Sequence, residues 1–392
     1  MEPAQAPESP EEPPGLQPVV APKEEKQAQA ERRPPKLHAL PPNGEAAPTP
    51  INLTAEMAEC LEIARDHSQR REDRLEAFED ILDSEVGDSD LLRARNIERS
   101  TGLRQVYLKF EGGNPTGTQK DRIAFAHAVD ALRQGYDCMT LATCGNYGAA
   151  VALAAYLSGL ECEVVIPERY HSKRIHEMEA RGARVHWVPG TYEDAVRISR
   201  ERAETKGLYD ANPGGANEAI QLWAYAEIAY EIYDVLRDAP KAIAVPVSNG
   251  TTLAGIYRGF YRLHRRGRTS RMPMFVAGSA RQMNPIVEAS QKGLDRCQDL
   301  RPEEIKETEV NEPLVNWHSI DGDHALYAIR ETGGWADEAS DRKMQDVTRM
   351  LRRYQGLNVL PASTAGLIAL LARHEDSPLP SDRYVAVVTG KG

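Results

Sequence analysis

The sequence has little cysteine, few aromatic residues and no apolar run long enough to cross a membrane. Its five cysteines, Cys60, Cys138, Cys144, Cys162 and Cys297, are odd in number, and no pair has C-x-x-C spacing. That argues against a disulfide framework or a zinc site and for reduced thiols in a cytoplasm. His171, His176 and His186 lack the spacing of a helical metal motif, so no metal is expected. No basic patch stands out, and the formal net charge is -11, which points away from nucleic acid. The first residues lack the basic-then-apolar order of a secretory signal.

What is there is a long chain, 392 residues with 41% hydrophobic content. That suffices for a sizeable core and for two domains sharing one cleft. Residues 1–50 stand apart. They hold 13 of the 26 prolines and no Phe, Tyr or Trp. Such a segment cannot bury enough apolar surface to offset the entropy of ordering it, so a disordered Pro/Ala/Glu-rich tail is expected.

From Leu53 the pattern turns helical, and then strands and helices alternate. Short apolar runs occur at Val106–Phe110, Met139–Ala142, Glu163–Ile166, Ala242–Val247, Met274–Ala277 and Tyr384–Thr389. Helical stretches such as Gly148–Leu157 and Glu218–Leu236 lie between them. This alternation predicts an α/β protein with a largely parallel sheet. In such sheets ligands bind where strands end and loops enter helices.

Four of those loops carry unusual sequence. After Phe110 comes Gly112-Gly-Asn-Pro-Thr-Gly117, a strong turn signal, with Lys120 opening a helix just beyond. That lysine suits a phosphate loop, a Schiff base in a partly dry pocket, or simply a solvated surface. Against the phosphate loop, Thr118 stands where the G-x-x-x-x-G-K motif needs its lysine. The second loop, Leu141-Ala-Thr-Cys-Gly-Asn-Tyr-Gly148, precedes a helix and would aim backbone amides at an anion such as a carboxylate, with Asn146 adding a side-chain donor. An ordinary turn with Asn as a cap reads the same way. The third, Ser248-Asn-Gly-Thr-Thr252, lies between a strand and a helix and is the better phosphate cradle. A capped helix start without a ligand is its plain alternative. The fourth, Thr389-Gly-Lys-Gly392, ends the last strand and alone would mean nothing.

In this order the four segments resemble the fold-type II pyridoxal-phosphate enzymes, the superfamily of the tryptophan synthase β chain. The resemblance spans roughly residues 85–392. Asn114-Pro-Thr-Gly-Thr-Gln-Lys120-Asp-Arg matches the family's lysine motif, and Cys144-Gly-Asn-Tyr-Gly148 its asparagine loop. Thr389-Gly390 looks most like the threonine synthase branch, and Pro361-Ala-Ser-Thr-Ala365 also resembles a family segment.

The resemblance implies two open α/β domains with pyridoxal 5'-phosphate in the cleft between them. Residues 51–120 and 208–392 would form the large cofactor-binding domain and 121–207 the small one. Lys120 would carry the cofactor as a Schiff base and move the substrate α-proton. Asn146 would bond the ring hydroxyl oxygen, and Ser248, Asn249, Gly250, Thr251 and Thr252 would hold the phosphate. Thr389 would face the pyridine nitrogen. The amides of Thr143, Cys144, Gly145, Asn146 and Tyr147 would bind the carboxylate of a small amino-acid substrate. Relatives are commonly dimers, which makes a homodimer the assembly to test.

A hydroxyl at the ring nitrogen suits β or γ elimination and replacement better than transamination. The expected activity is threonine synthase-like. Serine or threonine dehydration and cysteine- or cysteate-type β-replacement stand as alternatives, with a non-catalytic cofactor-binding relative as a third. The chain departs from the pattern at Gln119, usually Phe, and at Cys144, usually Ser. It also reads Asn212-Pro-Gly-Gly-Ala-Asn-Glu-Ala-Ile-Gln221 where threonine synthases continue N-P-x-R-x-x-G-Q-K. The segment Asn316–His324 has no assignment from sequence.

Overall fold

The computed structural model describes residues 53–143, 145–168 and 174–392. The tail read over 1–50, together with Cys144 and His171, lies outside the described residues.

Among the described residues, ten strands divide between two sheets. Strands β1 (Asp90–Arg93), β2 (Val106–Phe110), β7 (Ala242–Pro246), β8 (Met274–Ala280), β9 (Trp335–Ala339) and β10 (Tyr384–Val388) form the larger, in the order β1-β2-β10-β7-β8-β9. Only β1 runs antiparallel to its neighbour. Strands β3 (Cys138–Ala142), β4 (Glu161–Pro167), β5 (Arg184–Val188) and β6 (Tyr209–Asp210) form an all-parallel second sheet, ordered β5-β4-β3-β6.

Parallel strands need crossover connections, and helices supply them. Two helices precede the first sheet strand, α1 (Ala55–Arg65) and α2 (Arg71–Glu85), with the short α3 (Arg95–Thr101) after β1. Next come α4 (Lys120–Gln134), α5 (Asn146–Ser158), α6 (Ile175–Ala180), α7 (Tyr192–Lys206), α8 (Glu218–Leu236) and α9 (Thr251–Arg265). The last four are α10 (Pro285–Lys292), α11 (Gly322–Glu331), α12 (Asp341–Gln355) and α13 (Ala365–Asp376).

Both faces of the inner strands are covered, which is why they read as continuous apolar runs. Along β10, Val385 and Val387 join the core shared with α4, α5, α8 and α9, whereas Tyr384, Ala386 and Val388 join the core under α12 and α13. In β7 the same alternation sends Ile243 and Val245 one way and Ala242 and Ala244 the other. Helix α13 lies so close that a Cβ on Gly366 would meet backbone atoms of Val245 at 2.8 Å. No helix among the described residues is long and apolar enough to cross a membrane.

This topology fixes where the loops meet. In the larger sheet β10 lies between β2 and β7, all three parallel. The chain therefore leaves their carboxyl ends on one side, into residues 111–119, 389–392 and 247–250. The carboxyl end of β3 feeds the loop that starts α5.

Candidate functional site

Lys120 is the first residue of α4, set by a loop that is pinned on several sides. Asp121, fully buried, accepts from Thr116 N and Thr116 Oγ1, both at 2.8 Å. At the loop's two ends Glu111 and Arg122 form a buried ion pair of 2.6 Å. Arg122 also donates to Glu231 at 2.7 Å, and Lys109 donates to Glu231 at 2.5 Å. Two acids and two bases thus close a neutral cluster, as buried charges require. Asn114 of the turn donates to Glu111 O and Oε2 at 2.9 and 3.0 Å.

The loop is also stitched to the last strand. Gln119 N donates to Thr389 O at 3.0 Å and Lys391 N to Gly117 O at 2.8 Å, and Thr118 bridges Gly390. Lys120 and Thr389, 269 residues apart in sequence numbering, consequently face one cavity.

That cavity holds about 120 Å³ and brings together Lys120, Asn146, Ser248, Asn249, Gly250, Thr251, Thr252 and Thr389. Thr118, Gln119, Pro313, Leu314, Leu360 and Ser363 complete much of its wall. Burial pushes the Lys120 amine down to about 8, while the Asp321 carboxylate nearby works in the opposite direction. The amine has no hydrogen bond among the described residues, and the Tyr147 ring centroid lies 6.0 Å away.

Helix α9 begins at the cavity. Its N-cap, Gly250, takes φ +90°, and no side chain among the described residues caps the first turn. The uncommitted first-turn amides, with the helix dipole behind them, make a site for an anion. Glycine is needed there because a Cβ would also meet Asp321 O at 2.8 Å. The Thr251 hydroxyl donates to Asp321, so it is Thr251's amide, together with the Ser248 hydroxyl, that remains for an anion, with Thr252 beside them on the cavity wall.

The Asn316–His324 segment, unassigned from sequence, straps this loop. Asn316 Nδ2 donates to Asn249 Oδ1 at 2.6 Å, Asp321 N to Asn249 O at 2.9 Å, and Ser319 Oγ to Ser248 O at 3.0 Å. Asp321 itself is buried, and desolvation raises its carboxyl. Among the described residues its second oxygen has no hydrogen-bond partner. Sequence reasoning missed Asp321, because a single Asp in a polar loop carries no signal of being buried.

Asn146 starts α5 with its side chain at the cavity. Thr143, Gly145 and Tyr147 neighbour it but do not wall the cavity. Thr143 N is spent on Val165 O at 3.3 Å, and Tyr147 OH donates to Ala211 O at 2.7 Å. The amides of Asn146 and Tyr147 belong to the first turn of α5. Ser363, within the family-like Pro361–Ala365 segment, accepts from Thr389 Oγ1 at 3.2 Å.

Residues 82–390 match the family model described as "Pyridoxal-phosphate dependent enzyme", and the chain belongs to that family. The threonine synthase of Methanocaldococcus jannaschii is 30% identical over 309 residues, covering 78% of this chain and 75% of the relative. That of Methanosarcina acetivorans is 28% identical over 305 residues, covering 77% and 74%. Maize serine racemase superposes with a TM-score of 0.66 at 18% identity, covering 81% of this chain and 93% of that one. An O-ureido-L-serine synthase superposes with a TM-score of 0.64 at 21% identity, covering 80% and 91%. These structures share the α/β fold.

The cofactor of the family is pyridoxal 5'-phosphate, and the residues present fit it. A buried amine that loses its proton near neutrality can attack an aldehyde. An uncapped helix start suits a phosphate, and hydroxyls rather than carboxylates surround the far wall at Thr389 and Ser363.

Proposed function

We propose that this enzyme catalyses elimination or replacement on an amino acid bearing a β or γ leaving group, with threonine synthase-like γ-replacement as the first reading. The observation that carries it is the meeting of Lys120, the α9 start and Thr389 in one cavity. When bound, the cofactor supplies an electrophilic carbon for the amino group and a ring that takes up electron density from the substrate α-carbon.

The protein's residues do the rest. The Lys120 amine, once neutral, would be the nucleophile that holds the cofactor, and it is the base placed to carry the α-proton. The first-turn amides of α9 with Ser248 and Thr252 hold the phosphate. Asn146 and Tyr147 amides orient the substrate carboxylate, and Asn146's side chain orients the ring. Thr389 would offer the ring nitrogen a hydroxyl, a weaker electrostatic partner than a carboxylate, and that would favour loss of a leaving group over transamination. In the same reading, residues 51–120 and 208–392 form the cofactor-binding domain and 121–207 the small domain of a cytoplasmic enzyme.

A second reading, β-elimination or β-replacement, draws on the 212–221 loop. Asn212 spends its side chain on Ala142 N, Ser199 and Asp210, and Gln221 spends its own on His127 and Gly214. The loop contains no arginine or lysine to meet a substrate phosphate. Cofactor-loaded protein incubated with phosphohomoserine, phosphoserine, serine and threonine, with phosphate, ammonia and amino-acid products followed, separates the readings. Threonine and phosphate from phosphohomoserine support the first. Turnover of serine or phosphoserine alone supports the second, and no turnover of any of the four leaves a cofactor-binding protein without these activities.

A further inference from the structure

Asn146 is read above as the residue that meets the cofactor's ring hydroxyl oxygen, and the present inference rests on that reading. An asparagine amide has two faces of opposite character. Its oxygen only accepts and its nitrogen only donates, and the two are nearly equal in shape. At the first position of a helix nothing in the backbone decides which of them turns into the cavity. A ring oxygen carrying negative charge needs the donor. Were the amide reversed, its oxygen would repel that charge or demand a proton on the ring oxygen.

The structure supplies a decision from outside the cavity wall. Arg174 Nη1 donates to Asn146 Oδ1 at 2.7 Å. A guanidinium has five donors and no acceptor, so the Asn146 atom facing it must be the oxygen. The nitrogen is then the atom left for the cavity. The guanidinium is itself held in place. Arg174 Nε and Nη2 reach the two carboxylate oxygens of Glu177 at 3.1 and 2.8 Å, a forked pair that fixes the plane of the group. Arg174 Nη2 also donates to Thr116 O at 3.0 Å. Thr116 is the residue whose amide and hydroxyl are held by Asp121, in the loop that ends at Lys120. One side chain, four-fifths buried, therefore touches both the asparagine loop and the lysine loop.

We infer that Arg174 is a positioning residue for the cofactor ring: it locks the Asn146 amide with its N–H₂ toward the ring oxygen and ties that amide to the loop carrying Lys120. A positive charge on the amide oxygen also withdraws electron density from the nitrogen, which makes it a stronger donor. Arg174 does not line the cavity. It acts through Asn146, and so its loss is read first in the state of the bound cofactor rather than in catalysis.

The test uses full-length Arg174→Met, Asn146→Ala and the double variant, each loaded with pyridoxal 5'-phosphate. The absorption spectrum of the bound cofactor is recorded across pH, and cofactor affinity is measured by titration of the cofactor-free protein. Methionine keeps the length of the side chain and removes every donor. Expected for R174M is a fall of the long-wavelength band relative to the near-ultraviolet band, with affinity weaker by about tenfold, the scale of one charge-assisted hydrogen bond. The change should resemble that of N146A, and the double variant should be little worse than N146A, since both act on one contact. Arg174→Lys, which keeps a donor-only cation, should restore part of the spectrum, and it also serves as the working comparison should the methionine variant not fold.

If N146A changes the spectrum while R174M and R174K leave it as in the parent, the inference is overturned and the reading of Asn146 stands. It is equally overturned if the two substitutions add fully in the double variant, because Arg174 then acts by another route. If N146A itself leaves spectrum and affinity unchanged, the underlying role given to Asn146 is wrong, and the inference goes with it.

Discussion

The Lys120 amine gives the sharpest quantitative expectation. In the cofactor-free protein its ordinary value of 10.5 is lowered to about 8, chiefly because burial disfavours the charged form. At pH 7.5 an ordinary lysine is neutral in about one molecule in a thousand, whereas a group near 8 is neutral in about a quarter. Lys120 should therefore react with a neutral acylating reagent on the order of 10² times faster than a surface lysine of equal access. The Asp321 carboxylate opposes this by favouring the charged amine. Asp321→Asn should consequently move the midpoint of labelling below 8 and increase the neutral fraction at pH 7. The assay is pH-dependent labelling of cofactor-free protein, with Lys120 followed by peptide mass spectrometry. A midpoint near that of an exposed lysine would refute the burial argument. A midpoint that rises in D321N would refute the electrostatic one. The same shift has a consequence for stability. Between about 8 and 10.5 the unfolded chain holds a proton that the folded chain has already released, so this group makes the cofactor-free protein more stable as pH rises through that window.

Two further outcomes follow from buried titratable groups elsewhere. His127 is enclosed between Tyr209 OH at 2.9 Å and Gln221 Nε2 at 2.9 Å, and burial holds it down at about 3. From about 6.5 down to 3 the unfolded chain takes up a proton that the folded chain refuses, so stability should fall with pH at up to about 1.4 kcal/mol per unit from this group. His127→Asn should flatten that slope in urea unfolding between pH 6 and 4, and an unchanged slope would contradict the burial argument. Glu111→Gln leaves the buried Arg122 and Lys109 facing Glu231 alone and should destabilise the protein by about 3 kcal/mol, measured by urea unfolding without cofactor. A loss below about 1 kcal/mol would mean that the cluster relaxes or admits water.

Much of the fold could be read from the residues, and the pattern of what could not is physical. The six apolar runs correspond to β2, β3, β4, β7, β8 and β10, the interior strands of both sheets. The four strands without a sequence signal, β1, β5, β6 and β9, are the four sheet edges. Interior parallel strands are covered on both faces and must be apolar throughout. Edge strands are short or carry charge, as in Asp90-Leu-Leu-Arg93 and Trp335-Ala-Asp-Glu-Ala339, and such residues read as loop. The helical stretch Glu218–Leu236 coincides with α8, whereas Gly148–Leu157 starts two residues after α5 begins and ends one residue before it does.

The site divides along the same line. Lys120, Asn146, the Ser248–Thr252 loop and Thr389 each sit in a local motif, because a turn, a helix start and a strand end are written in neighbouring residues. Motifs of that kind are what sequence determines: a residue type at a fixed offset from a turn. Their meeting in one cavity was decided by strand order, with β10 inserted between β2 and β7 by pairings between segments more than a hundred residues apart. The partners that tune them were decided there too. Asp321 beneath Thr251 and Arg174 behind Asn146 stand in polar stretches with no pattern of their own, and Ser363 beside Thr389 stands in a family-like segment that does not say what its hydroxyl meets. Each acquires its role only through a contact at long sequence separation, because hydrogen-bond reach is a property of space and not of the chain.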